Sequence, residues 1–357
     1  MKKLLLSILA LLLVLGIGAY LFQGPITLGL MDRLVATRMS TSLLDQLPDG
    51  LNVVLCGAGS PLPDPERSGP CTAIVAGEHL FLIDSGSNSS RILTQLQLPH
   101  GEIDGILITH FHSDHIDGLG EMLLQAWIGS ARTQPMPVYG PVGVEEIVEG
   151  LNRVYSQDRI YRTAHHGEDI APSSGAGAVP RPFSQPAPGE ARVIFDDDEL
   201  RITAFSVLHE PVEPAVGYRF DYKGRSVVVS GDTRKSKNLE NFAQGTDLLI
   251  HEALSRELVG VMTMGAEKAG QTNLAKITKD ILDYHASPVE AAESASAAGA
   301  DHLLFYHIVP PLLISPMEAL FVEGVSDAYD GPFTVGRDGT LISLPAGSDE
   351  ITVEQLL

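Results

Sequence analysis

The sequence predicts a layered α/β protein behind an N-terminal membrane helix, and three observations carry that prediction. Beyond residue 50, short β-branched and apolar runs alternate with segments of helical period, the pattern of sheets covered by helices. Hydrophobic residues make up 44% of the 357-residue chain, enough for a large core and too many for a disordered one. Met1-Lys2-Lys3 precedes an apolar run from Leu4 to Phe22, which as a helix would span ~28 Å, close to the thickness of a bilayer core.

Taken in order, residues 1–23 read as a signal or anchor, with the two lysines left on the inner side. An uncleaved anchor would hold the protein at the periplasmic face of the inner membrane, and cleavage near Gly16-Ile17-Gly18 would leave it soluble there. Residues 24–50 follow as a stalk helix with apolar residues at Met31, Leu34, Val35, Met39, Leu43 and Leu47. Strands are expected at Leu51–Cys56, Cys71–Val75, Leu80–Ile83 and Ile103–Thr109, and a helix at Ile116–Ile128. Residues 133–192 read as an irregular insertion, because 171–188 is dense in Pro, Gly, Ser and Ala. Strands resume at Leu200–Leu208, Val216–Tyr222 and Arg225–Ser230, with Lys223-Gly224 as a hairpin turn. Asp247–Ile250 and His302–Tyr306 complete the strands. Helices are expected at Asn273–Tyr284 and Pro288–Ala298, the second opened by a Ser287/Glu290 capping box. The main domain thus runs over 51–345, with a tail at 346–357.

Charge and composition exclude several functions. With 24 Lys and Arg against 45 Asp and Glu, the net charge is −21. That balance predicts no nucleic-acid partner, since phosphate backbones are held by clustered cations. Two cysteines exclude a disulfide scaffold and a Cys₄ metal site. Cys56 and Cys71 fall on neighbouring strands. In an oxidising compartment they form a disulfide candidate worth ~3 kcal/mol of loop-closure entropy, and in a reducing one they are two buried thiols.

The dense feature is Thr109-His110-Phe111-His112-Ser113-Asp114-His115, three imidazoles and a carboxylate just past a buried strand. Imidazole and carboxylate together suit divalent metals, and alternate side chains of one short loop can serve two sites.

This H-x-H-x-D-H segment resembles the signature of the metallo-β-lactamase superfamily, and the rest of the chain is similar to it over about 51–310. Asp84, in Phe81-Leu82-Ile83-Asp84-Ser85-Gly86, matches a carboxylate that buttresses the ligand loop. His209 ahead of Val216-Gly217-Tyr218-Arg219, Asp232 in Ser230-Gly231-Asp232-Thr233, and His307 after Phe305-Tyr306 match the remaining ligands of the ribonuclease Z-like branch. The resemblance implies an αββα sandwich of two mixed sheets. It implies one metal on His110, His112 and His209, another on Asp114, His115 and His307, and Asp232 between them. The pair would be zinc, with manganese or iron as alternatives, and a bridging hydroxide the nucleophile. His251-Glu252-Ala253 resembles the H-E-A-T segment of that branch and implies supporting roles for His251 and Glu252. Tyr284-His285-Ala286-Ser287 resembles its Y-H-S/T segment and makes His285, with Asp114, the catalytic candidate.

The resemblance departs from the tRNA-processing enzymes at one place. Their long tRNA-gripping arm lies between the third histidine and the bridging aspartate, and here that interval holds one hairpin. The extra sequence at 133–192 is placed as in exported metallo-arylsulfatases, where it would hang over the site as a lid. The expected function is therefore an exported hydrolase of a small anionic ester, a phosphodiester or an aryl sulfate. Two alternatives are a ribonuclease Z-type endonuclease and a lactonase or β-lactamase. Homodimers are common in the branch.

Overall fold

A computed structural model describes residues 2–357, so that Met1 of the expected anchor lies outside the described residues. The chain divides into a unit that ends at Gln46 and a unit that spans Leu47–Leu357. The first holds helices Lys2–Leu21 and Gln23–Met39, with no buried residue in either. Lys2–Leu21, of mean hydropathy 2.7, is long and apolar enough to cross a membrane. The stalk helix expected to run to residue 50 stops at Met39. Ser40 and Thr41 turn their hydroxyls onto the carbonyls of Thr37 and Arg38, local hydrogen bonds that compete with continuation of the helix.

The second unit is built on fifteen strands. They are β1 (Gly50–Gly57), β2 (Cys71–Ala76), β3 (His79–Ile83), β4 (Gly105–Leu107), β5 (Met136–Pro141), β6 (Ala178–Phe183), β7 (Ala191–Asp196) and β8 (Leu200–Ser206). The remainder are β9 (Val216–Tyr222), β10 (Arg225–Val229), β11 (Leu248–Leu254), β12 (His302–Val309), β13 (Phe333–Val335), β14 (Thr340–Pro345) and β15 (Thr352–Gln355). They form one sheet in the order β15-β14-β1-β2-β3-β4-β5-β6 and another in the order β13-β12-β11-β10-β9-β8-β7. Both are mixed: β1–β3 pair antiparallel and β3–β6 parallel, while β7–β10 pair antiparallel and β10–β13 parallel.

Side-chain alternation explains the layering. Val227, Val229, Ile250 and Leu304 enter the core between the sheets with Leu51, Val53, Phe81 and Ile83 of the opposite sheet. Their neighbours Val228, Leu249, Leu303 and Phe305 pack instead on Leu258, Ala291, Ala295 and Phe321 of the covering helices. A strand buried on both faces needs this unbroken apolar run.

Residues 133–192 are not the irregular insertion expected. They carry β5, β6 and the helices Val144–Val154 and Ser156–His166. The prolines that mimic a loop, Pro180 and Pro182, lie in β6 at the edge of its sheet, where a missing N–H costs no ladder bond. The expected helix at 116–128 is likewise two helices, Ser113–Ile116 and Leu119–Gly129. The break falls at Gly118, whose N–H donates to Ser85 O at 2.9 Å. Cys56 and Cys71 are joined as a disulfide across β1 and β2, Cα–Cα 4.9 Å.

Candidate metal centre

The ligand candidates come from the C-terminal ends of strands in both sheets. His110, His112, Asp114 and His115 follow β4, His209 follows β8, and Asp232 follows β10. His307 lies within β12, where the β11–β12 register slips between Glu252 and Ala253. The slip leaves His307 as the extra residue, at φ 44°, and a bulge of this kind re-aims one side chain out of the ladder.

Two donor clusters result. His110, His112, His209 and Asp232 form one, and Asp114, His115 and His307 form another, the ligand atoms within each lying no more than 4.8 Å apart. Asp232 Oδ2 stands between them, 3.4 Å from the Nε2 atoms of both His115 and His307, 3.8 Å from His110 Nε2 and 3.9 Å from His209 Nε2. The donors fit divalent metal. His115 Nε2, His209 Nε2, His307 Nδ1 and Asp232 Oδ1 are buried without a hydrogen-bond partner among the described residues, and a protein seldom leaves such groups unpaired unless they serve another purpose.

Supporting residues fix the imidazoles. Asp84 accepts from the Thr109 N–H and hydroxyl at 2.8 Å each, and pairs with His115 Nδ1 at 2.7 Å. His209 Nδ1 donates to Tyr284 O at 3.0 Å. In each case the second nitrogen is left for the cluster, the usual way a ligand tautomer is set. Burial pushes His110, His112 and His209 below the ordinary histidine range, keeping their lone pairs free. Burial would also lower His115, but the Asp232 and Asp84 carboxylates outweigh it and raise it. Burial alone would raise Asp232, yet the surrounding histidines, His307 and His115 foremost, hold it well below the carboxylate range.

His285 adjoins the centre, grouped with Asp232 and His307 within 4.8 Å. Its Nδ1 meets Glu252 Oε1 at 3.0 Å, and the same oxygen accepts from the N–H groups of Ala286 and Thr233. Glu252 outweighs the lowering effect of burial and raises His285. His251 is buried beside it, its Nδ1 donating to the carbonyl of Glu252 at 2.7 Å.

A cavity of about 280 Å³ opens onto this cluster, lined by His112, Asp114, Asp232, His285 and His307. No described residue of 133–192 lines it, so the expected lid over the site is not there. The wall comes instead from helix Thr272–Asp280 with Ile281 and Tyr284, and from Ser60–Leu62. The exposed pair His165 and His166 ends helix Ser156–His166 and takes no part in it. Asp197 caps its own turn, accepting from Glu199 and Leu200 N–H groups, so the acidic run at 196–199 is structural.

A family model for the beta-lactamase superfamily domain matches residues 79–308. The chain belongs to the metallo-β-lactamase superfamily. Within the superfamily it falls in the ribonuclease Z-like branch. It is 34% identical over 291 residues to ribonuclease Z of Mycobacterium bovis, covering 81% of this chain and 96% of that protein. Solved superfamily structures share the fold. The metallo-beta-lactamase fold protein YhfI of Bacillus subtilis superposes with a TM-score of 0.58 at 18% identity, over 82% of this chain and 99% of that one. Human tRNase Z, short form, superposes with a TM-score of 0.56 at 23% identity, also over 82% and 99%. The chain is therefore a metal-dependent hydrolase of this superfamily.

These comparisons overturn the expectation that no nucleic acid is a partner, since the relative 34% identical along 81% of the chain is named as a ribonuclease. Net charge was the wrong guide. An anionic substrate meets the local field of a site, which a chain's net charge does not report.

Proposed function

We propose that the chain hydrolyses RNA phosphodiesters with two divalent metals, zinc foremost. One observation carries this reading: the His285–Glu252 pair stands beside the two donor clusters, in a cavity that both share. His110, His112 and His209 would hold one metal, Asp114, His115 and His307 the other, and Asp232 both. Such ions polarise a phosphoryl oxygen and lower the pKa of a coordinated water to ~7.

The protein's own residues then supply position and a proton. Glu252 fixes the His285 ring through Nδ1, so the other nitrogen is the one offered to the cavity. From there His285 binds a nonbridging oxygen of the phosphodiester and passes its proton to the leaving oxygen. A small phosphodiester is the second reading. It is favoured by the interval from His209 to Asp232, which holds only β9 and β10 and no arm to grip a folded RNA. We further propose that Lys2–Leu21 anchors the protein with its catalytic unit on the exported side.

The test is turnover by the zinc- and manganese-loaded protein on RNA with a 3′ extension, bis(4-nitrophenyl) phosphate, an aryl sulfate and a lactone. RNA and the phosphodiester should be cleaved, and His110→Ala with Asp232→Ala should abolish both activities. His285→Ala should lower kcat on RNA by roughly 10²–10⁴, the usual worth of a general acid, and less on the nitrophenyl ester, whose leaving group needs no proton. Cleavage of the diester without RNA would select the second reading, and turnover of the sulfate or lactone alone would refute both.

A further inference from the structure

The cavity has a half that hydrolysis at the metal centre does not use. Leu274 and Ile277 of helix Thr272–Asp280, with Ile281 beyond it, stand at i, i+3 and i+7 and make one apolar stripe. Leu62 and Val309 line the same space, and Tyr284 lies where it joins the histidines. Ile277 is 56% exposed. A single exposed apolar residue needs no explanation, but here the apolar residues collect in one cavity whose other end is the donor cluster.

The walls are fixed. The segment bearing Leu62 leaves β1 and is closed by the Cys56–Cys71 disulfide, and Ala58 O accepts from Ile308 N at 3.0 Å beside His307. The opposite helix is pinned where Thr263 donates to Thr278 across to helix Arg256–Lys268 at 2.8 Å. No lysine or arginine is among the described residues that line the cavity. A polyanion is therefore not gripped there along its backbone. One phosphoryl group is met by the donor cluster and His285, and the remaining affinity must come from apolar contact. At about 280 Å³ the space lies at the small end of ligand pockets, with room for one phosphoryl group and one ring system.

Resting on the phosphodiesterase reading, we propose that this apolar half is a specificity pocket for a planar ring attached to the reacting phosphate. The ring is an unstacked nucleobase or an aryl group, and a base held in a duplex does not enter. Burying one ring face against such a wall is worth at least about tenfold in affinity.

Equilibrium titration of the zinc-loaded full chain with adenosine 5′-monophosphate, phenyl phosphate and ribose 5-phosphate tests this without turnover. Either ring-bearing ligand should bind at least about tenfold tighter than ribose 5-phosphate. A gain for adenosine monophosphate alone identifies a nucleobase, and an equal gain for phenyl phosphate identifies any aryl ring. Ile277→Ser and Leu62→Ser should each shrink that ratio at least threefold, whereas Val261→Ser, exposed on the neighbouring helix and outside the cavity, should leave it unchanged. Equal affinities, no binding, or a ratio indifferent to Ile277→Ser and Leu62→Ser would overturn the pocket. A ring preference in a protein that hydrolyses no phosphodiester would instead overturn the catalytic reading and leave the pocket standing.

Discussion

Outside the metal centre burial can act on a histidine with no carboxylate to oppose it, as it does at His302. His302, at the start of β12, is 5% exposed, with Nε2 on the Thr334 hydroxyl at 2.9 Å. Burial pushes it down to about 4. An unfolded histidine titrates near ~6.5, so between that value and about 4 the unfolded chain binds the extra proton and the folded chain does not. Stability is therefore full above the upper value and lost progressively as pH falls through the window, by up to about 3 kcal/mol. His302→Gln keeps a partner for Thr334 without the titration. Thermal melts from pH 7 to pH 4 should show a shallower acid limb for this variant than for the parent, and identical limbs would refute the assignment. At this scale the donor cluster was the legible part of the sequence: the structure brings together four residues of one short segment with His209 and Asp232, which follow strands, and His307, which interrupts one, while Asp84 ends a strand beside them. Leu274 and Ile277 were not legible, because an apolar residue at helical spacing reads the same whether it faces a core or a cavity, and Leu62 was not, because a lone apolar residue between strands has no spacing to read. Tyr284 could have been found, as the neighbour of His285, but its carbonyl carries its role and no side-chain pattern announces a carbonyl.

Elements were legible where their signals are local. The Ser287/Glu290 box caps helix Pro288–Ala298 in full, and Lys223-Gly224 turns β9 into β10. They were obscured where tertiary packing decides. Pro180 and Pro182 are tolerable only because β6 is an edge, and the division of the helix after the ligand loop depends on what lies against Gly118. A Cβ there would stand 2.1 Å from the Gly86 carbonyl oxygen and 3.0 Å from that of Ser85. Ser85 N in turn donates to His115 O at 2.8 Å, so the close approach ties the segment bearing Asp84 to the loop bearing the donor candidates. Gly118→Ala should cost at least about 2 kcal/mol, a backbone clash with no flexible side chain to yield, and should lower zinc retention during dialysis against a chelator. Gly129→Ala, with nothing within 4 Å of the added methyl, should be neutral or stabilising by up to about 1 kcal/mol in the same helix. Equal melting temperatures for the two variants would show that the break is not set by this contact.

Across the whole molecule, charge and compartment pull in different directions. A net charge of −21 opposes long-range attraction of any polyanion, so the proposed substrate would be captured at short range, at the donor cluster and the proposed ring pocket. The N-terminal helix and the disulfide concern a different question, where the catalytic unit resides. Lys2 and Lys3, at the start of the apolar helix Lys2–Leu21, are the basis of the proposed export, since by the positive-inside bias such an anchor would leave the remainder outside. The Cys56–Cys71 bond supports that proposal, because such bonds persist in oxidising compartments while cytosolic thiols are kept reduced. It closes a loop of 15 residues, worth ~3 kcal/mol in the chain-entropy model, and that loop carries one wall of the cavity. If the unit is exported, membranes prepared from cells quenched with acid should yield a full-length chain that a polyethylene-glycol maleimide shifts only after reduction, by two additions. The Cys56→Ser, Cys71→Ser double variant should lose about 3 kcal/mol of stability and part of the ring preference, as the Leu62 wall loosens. Two additions before reduction, with the parent as stable as the double variant, would place the catalytic unit on the reducing side of the membrane and remove the argument for export.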